Sequence, residues 1–470
     1  MATRQRKAGK PKKQEEELLA DEAQPEGTLA AKKSPSKASQ GRKTPPVKEY
    51  AGEEANKEEV SNGLFGEVNF NVLVVSVLLR VFCFVSFGAW FGSRPEFSTP
   101  LTAIDRLREG ILLRNDFGDA YAGDRVHVQP ILVALLSGLL HNVHDSVVFA
   151  VFTMLDLLSG VLFSFGARKF SVERGEPPAS ARAIGASVLK WYLCNPLSIA
   201  VCCSLSVATI YSFFTSLFVF TFFSGCVIGS SVVLGVWTQL CMYPAILLIP
   251  LLFRSPNKRG IVLAIAVFSA VFALSIAANY FFAGHSFKFV DATYIFQLKV
   301  ADLTPTVGIF WYFFIEIFEH FEVFFKILFQ LNLIFYVIPA AVTLRLVPDI
   351  SLFFSFVLMA VFVPYPSLAD AKPIIALFPL IQAKYKQHQR LSLLTGCMAG
   401  ICIVLMPVMW HMWIVSGTGN ANFYFGVTLF YNVALIQKAT DIMFAYLRKD
   451  VEERCPKDFL GEKKILVVYE

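Results

Sequence analysis

Four stretches hold side chains whose types and spacing could do chemistry. In "DLTPTVGIFWYFFIEIFEHFEVFFKILFQ", Asp302 to Gln330, three glutamates and a histidine are threaded through Phe, Trp and Tyr. Glu316 and His320 stand four apart, a helical spacing at which carboxylate and imidazole can share a metal or trade a proton. No second histidine stands at helical spacing, which weakens the metal reading. In "NDFGDAYAGDRVHVQP" the acids Asp116, Asp119 and Asp124 and the base His127 could hold a divalent cation or activate a hydroxyl, because hard cations prefer carboxylate oxygens. A plain surface loop balanced by Arg114 and Arg125 explains the same residues. In "HNVHD", His141, His144 and Asp145 have metal-like spacing, but an interfacial turn accounts for them equally well. In "GTGNANFYF", Asn420 and Asn422 offer donors and acceptors suited to glycan hydroxyls and phosphate oxygens, and the flanking glycines allow close backbone approach. A simple Gly/Asn turn between two helices is the alternative.

Other machinery is excluded. The chain has no GxSxG elbow, no P-loop and no dinucleotide fingerprint. Its nine cysteines form no CxxC pair and lie mostly inside apolar runs, so they read as small hydrophobes. No cofactor site is expected.

The elements that must position these residues follow from composition. The chain has 470 residues, of which 55% are hydrophobic and 17% charged, with 46 phenylalanines. Its mean hydropathy is +0.55. A soluble chain carries about 25% charged residues, so these values imply a polytopic membrane protein. Residues 1–60 hold 13 Lys and Arg and 11 Asp and Glu, leaving the remainder more apolar still. That segment has almost no large hydrophobes and reads as part of a disordered cytosolic tail, 1–66. Its acidic clusters cancel most of its positive charge, so nucleic acid is not an expected partner.

A span needs about 20 apolar residues. Segments of that length occur near 69–92, 146–166, 231–253, 260–282, 308–328, 392–415 and 423–446. Shorter apolar pieces, such as 129–140, 184–194, 197–209, 211–228 and 350–365, are bounded by Pro or Gly and read as broken or re-entrant helices. The expected fold is all-α, with roughly 10–12 transmembrane helices in a membrane domain over 67–447. Four short basic loops, 167–183, 254–259, 384–390 and Arg448–Lys449, are assigned to the cytosol by the positive-inside rule. The loops 93–128, 285–307 and 416–422 are then luminal, and 448–470 is a cytosolic tail. An even number of crossings is needed between 183 and 254, and four short helices are expected there. Arg80 and Asp156, inside apolar runs, are candidates for a buried pair.

On a helical wheel Glu316, Glu319, His320 and Lys326 fall with Tyr312, opposite Phe310, Phe314, Ile317, Phe318, Phe321, Phe324 and Phe325. Glu322 stands four residues before Lys326, the favourable order for an ion pair. The segment is therefore expected to be one two-faced span.

The runs "DLTPTVGIFWYFFIEIFEHFEVFF", "NLIFYVIPAAVTL", "YPSLAD", "PVMWHMWIVSGTGNANFYFGVTLFYN" and "TDIMFAYLRKD" resemble, in order, the C-terminal half of the PIG-U family, a subunit of glycosylphosphatidylinositol (GPI) transamidase. "YAGDRVHVQPIL" and the Asn-Pro break in "LKWYLCNPLSI" resemble its N-terminal half, although Asp119-Ala120 replaces the family's Ser-Pro. The resemblance implies a GT-C-like membrane architecture and a non-catalytic subunit of the endoplasmic reticulum membrane. It implies work beside a caspase-like PIG-K, PIG-T, PIG-S and a GPAA-type subunit, binding or positioning the GPI lipid during its attachment to proteins. Carried over residue by residue, the GPI contacts are Asn420, Asn422 and Lys258. Lys258 lies in a loop assigned to the cytosol, opposite a luminal head group. The rival readings are an active GT-C mannosyltransferase using a dolichol-phosphate sugar, with the first-loop acids in its site, and a transporter-like bundle with broken helices.

Overall fold

A computed structural model of the chain describes residues 69–454, apart from 141–142 and 256. These belong to the second of two units, 65–470. The expected tail 1–66, the segment 455–470 and His141 therefore lie outside the described residues.

Among the described residues there are helices and no strands. Those of seven residues or more are, in chain order, α1 (Phe70–Gly92), α2 (Ile104–Phe117), α3 (Pro130–Leu140), α4 (Asp145–Glu173), α5 (Pro178–Leu193), α6 (Pro196–Cys203), α7 (Ala208–Phe223) and α8 (Val227–Leu240). Then follow α9 (Tyr243–Arg254), α10 (Lys258–Phe282), α11 (Phe310–Glu316), α12 (Glu319–Thr343), α13 (Pro348–Phe362), α14 (Lys372–Tyr385), α15 (Ser392–Trp410) and α16 (Ala421–Arg454). Proline opens α3, α5, α6 and α13, where its missing N–H costs nothing. At the Asn-Pro break Asn195 accepts the Leu197 N–H at 2.9 Å, and α5 and α6 meet at 48°.

Five helices are long and apolar enough to cross a membrane, six if α5 and α6 form one span. Shorter apolar helices, α3, α7, α8, α9 and α13, complete an all-α polytopic bundle. Its surface is inverted relative to a soluble protein. Val85, Leu274, Phe318 and Leu393 are 80%, 72%, 79% and 81% exposed, while Arg80, Asp156 and Lys372 are fully buried. A bilayer explains both facts, because lipid solvates the apolar residues and excludes charge. Close packing inside rests on small residues: a Cβ at Gly166 of α4 would stand 3.1 Å from the backbone of Phe220 in α7.

The expected Arg80–Asp156 pair exists and is larger than a pair. Arg80 reaches Asp156 Oδ2 at 2.5 Å, Lys372 Nζ donates to Oδ1 at 2.6 Å, and the Tyr192 hydroxyl donates to Oδ1 at 2.8 Å. Helices α1, α4, α5 and α14 are thus tied at one carboxylate.

The four basic loops gather at one end of the bundle. Arg254 pairs with Glu173 at 2.6 Å and Arg174 with Asp349 at 3.1 Å. Arg448 donates to the His388 carbonyl at 2.7 Å, and Arg174, Asp349 and Lys384 line one small cavity. At the other end, the loop 93–128 meets 285–307 and the turn before α16.

The segment 308–328 is not one two-faced span. The helix stops at Glu316, Ile317 is extended (φ −77°, ψ 147°), and α12 turns back. The Phe313 ring centroid lies 5.5 Å from that of Phe325, edge-on, and 4.6 Å from that of Phe329, tilted, so α11 and α12 form an aromatic hairpin. Phe310 and Phe314 are buried in it rather than facing lipid, and Glu316, Glu319 and His320 are exposed at its tip. A wheel assumes an unbroken helix, and the phenylalanine contacts between the two arms stabilise the break that it cannot show. The Glu322–Lys326 ion pair is present at 2.5 Å.

Candidate functional site

The turn between α15 and α16 is built from its own backbone. After Trp410 a single wide turn, His411–Val415, leads to Gly417, whose φ of +64° is the left-handed conformation that glycine adopts without strain. The N–H groups of Thr418 and Gly419 both donate to the Met412 carbonyl at 2.9 Å. Asn420 caps α16, its Oδ1 accepting the Phe423 N–H at 3.3 Å, while its side-chain amide nitrogen is left for another partner. Asn422 accepts a hydrogen bond from the Tyr312 hydroxyl of α11. Both asparagines are exposed.

Beneath them lies an aromatic floor. Tyr312 stacks on Phe425 with centroids 4.3 Å apart, and Trp311 on Trp413 at 6.1 Å. Trp410 meets Trp413 at 5.6 Å and Tyr424 at 5.3 Å. Arg94, paired with Glu96 at 3.0 Å, sits 5.5 Å above the Trp410 ring. The buried Trp311 Nε1 has no hydrogen-bond partner. Asn432 fastens this floor to the start of α11 by donating to the Val307 carbonyl at 2.8 Å. Gly308 lets α11 settle on the α13–α14 apex, since a Cβ there would stand 2.6 Å from the Pro366 ring. The arrangement places two exposed amides beside the partly exposed Tyr312, Trp413 and Phe425 rings, with Trp311 and Tyr424 buried behind them.

On the other side of α11, the loops 93–128 and 285–307 enclose a polar cleft of about 770 Å³. Arg106 pairs with Asp302 at 2.8 Å across its mouth, and the Asp302 N–H donates to the Tyr365 hydroxyl at 3.0 Å. His127 is buried, its ring stacked 3.5 Å from Phe296, and its Nδ1–H donates to the Ala292 carbonyl at 2.8 Å. Burial disfavours the imidazolium and pushes its pKa down to about 4, although the Ala292 carbonyl pulls the other way. Lys288 pairs with Asp119 at 2.8 Å. Burial acts to raise the Asp119 carboxyl, but the Lys288 ammonium and the Tyr121 N–H hold it below its usual range.

The first-loop acids do not converge. Asp116 is exposed on α2, Asp119 is engaged by Lys288 rather than by Arg114 or Arg125, and Asp124 alone of the three lines the cleft. His144 caps α4 through the Ser146 N–H at 3.2 Å, and Asp145 pairs with Arg108. Among the described residues no three His, Cys, Asp or Glu side chains gather as a metal site. The described cysteines are free, and two of them, Cys226 and Cys397, are exposed on the bundle surface rather than buried.

Lys258 stands apart from the asparagines. It opens α10 at the end where Arg254 meets Glu173. The 25 residues of α10 separate that end from the loop 285–307, about 37 Å at the helical rise. Tyr312 as the partner of Asn422, and Lys372 as a second cation on Asp156, were not singled out from the sequence. Tyr312 shares a wheel face with the charged residues, which is a signal; Lys372 stands before Pro373 with no pattern that marks it.

Comparison with known proteins fits this architecture. The family model "GPI transamidase subunit PIG-U" matches residues 74–431. The human GPI-anchor transamidase component PIGU is 32% identical over 412 residues, covering 81% of this chain and 93% of that protein. The mouse protein of the same name is 31% identical over the same shares. The Saccharomyces cerevisiae GPI transamidase component GAB1 is 29% identical over 373 residues, 77% of this chain and 89% of its own length. This chain belongs to the PIG-U family of GPI transamidase subunits.

Proposed function

We propose that this chain is the subunit of GPI transamidase, in the endoplasmic reticulum membrane, that holds the GPI lipid without doing the chemistry itself. The carrying observation is the exposed Asn420 and Asn422 pair above the aromatic floor of Trp311, Tyr312, Trp413 and Tyr424. The asparagines hydrogen-bond glycan hydroxyls or phosphate, and the partly exposed Tyr312, Trp413 and Phe425 rings supply the apolar contact. Fixing the lipid there brings its amine to the reacting acyl group on another subunit, a PIG-K-type protease partner, and removes part of the entropic barrier. PIG-T, PIG-S and a GPAA-type subunit complete the assembly in this reading. Lys258, at the far end of α10, does not share this head-group site.

A mannosyltransferase reading finds no support in the first loop, where the acids point to separate places. The test is Asn420→Ala with Asn422→Ala in cells depleted of the native chain. Surface display of a GPI-anchored reporter is expected to fall about tenfold, the loss of roughly one to two hydrogen bonds to a polar ligand. Co-purification with the other subunits is expected to stay intact. An unchanged reporter would remove the asparagines from lipid binding.

A further inference from the structure

The apex between α13 and α14 borders a second cavity, distinct from the cleft and from the asparagine turn. It holds about 80 Å³ and lies between α7, α8, α9 and α13. A water needs roughly 10–15 Å³ of such space, so a group of several heavy atoms fits. Four aromatic side chains, Tyr211, Trp237, Tyr243 and Tyr365, line it together with one carboxylate, Asp370.

Asp370 is exposed in a run of buried neighbours: Leu368, Ala369 and Ala371 are 1%, 6% and 4% exposed. Asp370 is also one of the residues that line the cavity. One oxygen, Oδ2, is held by the Ser367 N–H at 2.7 Å and the Ser367 hydroxyl at 3.3 Å. Among the described residues no Lys, Arg or His forms an ion pair with this carboxylate. The nearest cation in sequence, Lys372, is committed to Asp156 at 2.6 Å.

A carboxylate among apolar helices is costly unless a cation meets it. Aromatic ring faces attract cations as well, so rings and carboxylate favour the same guest. A metal ion would need more ligands than Asp370 supplies, and no ligand cluster is present among the described residues. The surrounding walls belong to the short apolar helices of the bundle, which favours a guest that arrives on a lipid.

We propose that this cavity receives a primary ammonium group carried by a lipid, with Asp370 as its counter-ion and the four rings as its cage. Two sources share that chemistry: an ethanolamine phospholipid of the bilayer, and an amine of the GPI itself, the second of which rests on the function proposed above. Ring contacts link residues that line this cavity to residues that line the polar cleft. Tyr365 stacks on Phe296 at 5.3 Å, and Phe296 on His127 at 3.5 Å.

The experiment uses the full-length chain in its purified complex, reconstituted in nanodiscs, with native mass spectrometry of retained lipid. One arm contains phosphatidylethanolamine, one contains only phosphatidylcholine and phosphatidylglycerol, one adds a synthetic GPI, and one contains N-acetylated phosphatidylethanolamine. Retention of an amine-bearing lipid is expected, with about a tenfold loss in Asp370→Asn, the scale of one charge-assisted contact. Asn keeps the size of Asp370 and an acceptor for the Ser367 N–H. Retention of the phospholipid identifies the bilayer source, and retention of GPI alone identifies the glycolipid. The N-acetylated lipid on the unaltered protein provides a test independent of whether the variant folds, and equal retention of it would overturn the proposal. So would unchanged retention in Asp370→Asn, or no amine lipid retained in any arm. Asn420→Ala with Asn422→Ala leaves phosphatidylethanolamine retention unchanged, which separates failure of this site from failure of the head-group site.

Discussion

Asp156 has to satisfy two cations at once, and this sets its energetic weight. With Arg80, Lys372 and Asp156 all fully buried, removing the carboxylate leaves two guanidinium or ammonium charges without a partner. Breaking a buried pair in this way costs about 3–5 kcal/mol. Asp156→Asn is expected to lower the thermal unfolding midpoint sharply in detergent and to reduce the yield of assembled complex; an unaltered midpoint would mean that the cluster is solvated. His127 gives a pH signature. Its pKa of about 4 lies below the ordinary value of 6.5, so the unfolded chain binds more protons between those two values. Stability is therefore full above pH 6.5 and is lost as pH falls toward 4, by about 3 kcal/mol at the limit. In His127→Phe, which keeps a ring against Phe296, the decline in unfolding midpoint between pH 6.5 and pH 4 is expected to flatten.

At the scale of elements, α11 is the part on which the site depends. It is short, Phe310–Glu316, and it is held by Gly308 against Pro366 below and by Asn432 on the Val307 carbonyl. Its Tyr312 and Trp311 then reach Asn422 and Trp413. Gly308→Val is expected to push α11 off the apex, an overpacking of about 1–3 kcal/mol. GPI-anchored reporter display should fall although both asparagines are unaltered, whereas Gly138→Val, at a helical position of α3 with no neighbour within 4 Å and no left-handed backbone, controls for glycine replacement elsewhere. If Gly308→Val displays the reporter normally, α11 does not position the site. The sequence showed the aromatic content and charge of this stretch but not its turn. Ile317 carries no Pro or Gly to mark a break, and the extended backbone there is stabilised by Phe313 meeting Phe325 and Phe329.

For the whole molecule, the gathering of the basic loops at one end argues for a single orientation in the membrane, with that end in the cytosol. An engineered Asn-x-Thr acceptor in 284–288 is expected to be glycosylated in microsomes, and one in 254–258 is not; the reverse pattern would invert the orientation. The sequence by itself determined the all-helical membrane class, the break at Asn195–Pro196, the Glu322–Lys326 pair and the family, because hydropathy, proline chemistry and i,i+4 spacing act over a few neighbouring residues. It also narrowed Asp156 to a pairing with Arg80. Only the tertiary structure decided that Lys372 shares that carboxylate, that Tyr312 meets Asn422, that Asp116, Asp119 and Asp124 stay apart, and that Lys258 lies at the opposite end from the asparagines. The first two depend on residues far apart in the chain, and the others on where the helices carry neighbouring loops and helix ends. Close approaches at small residues, Gly166 against the Phe220 backbone and Gly308 against Pro366, are likewise properties of two elements and not of either sequence alone.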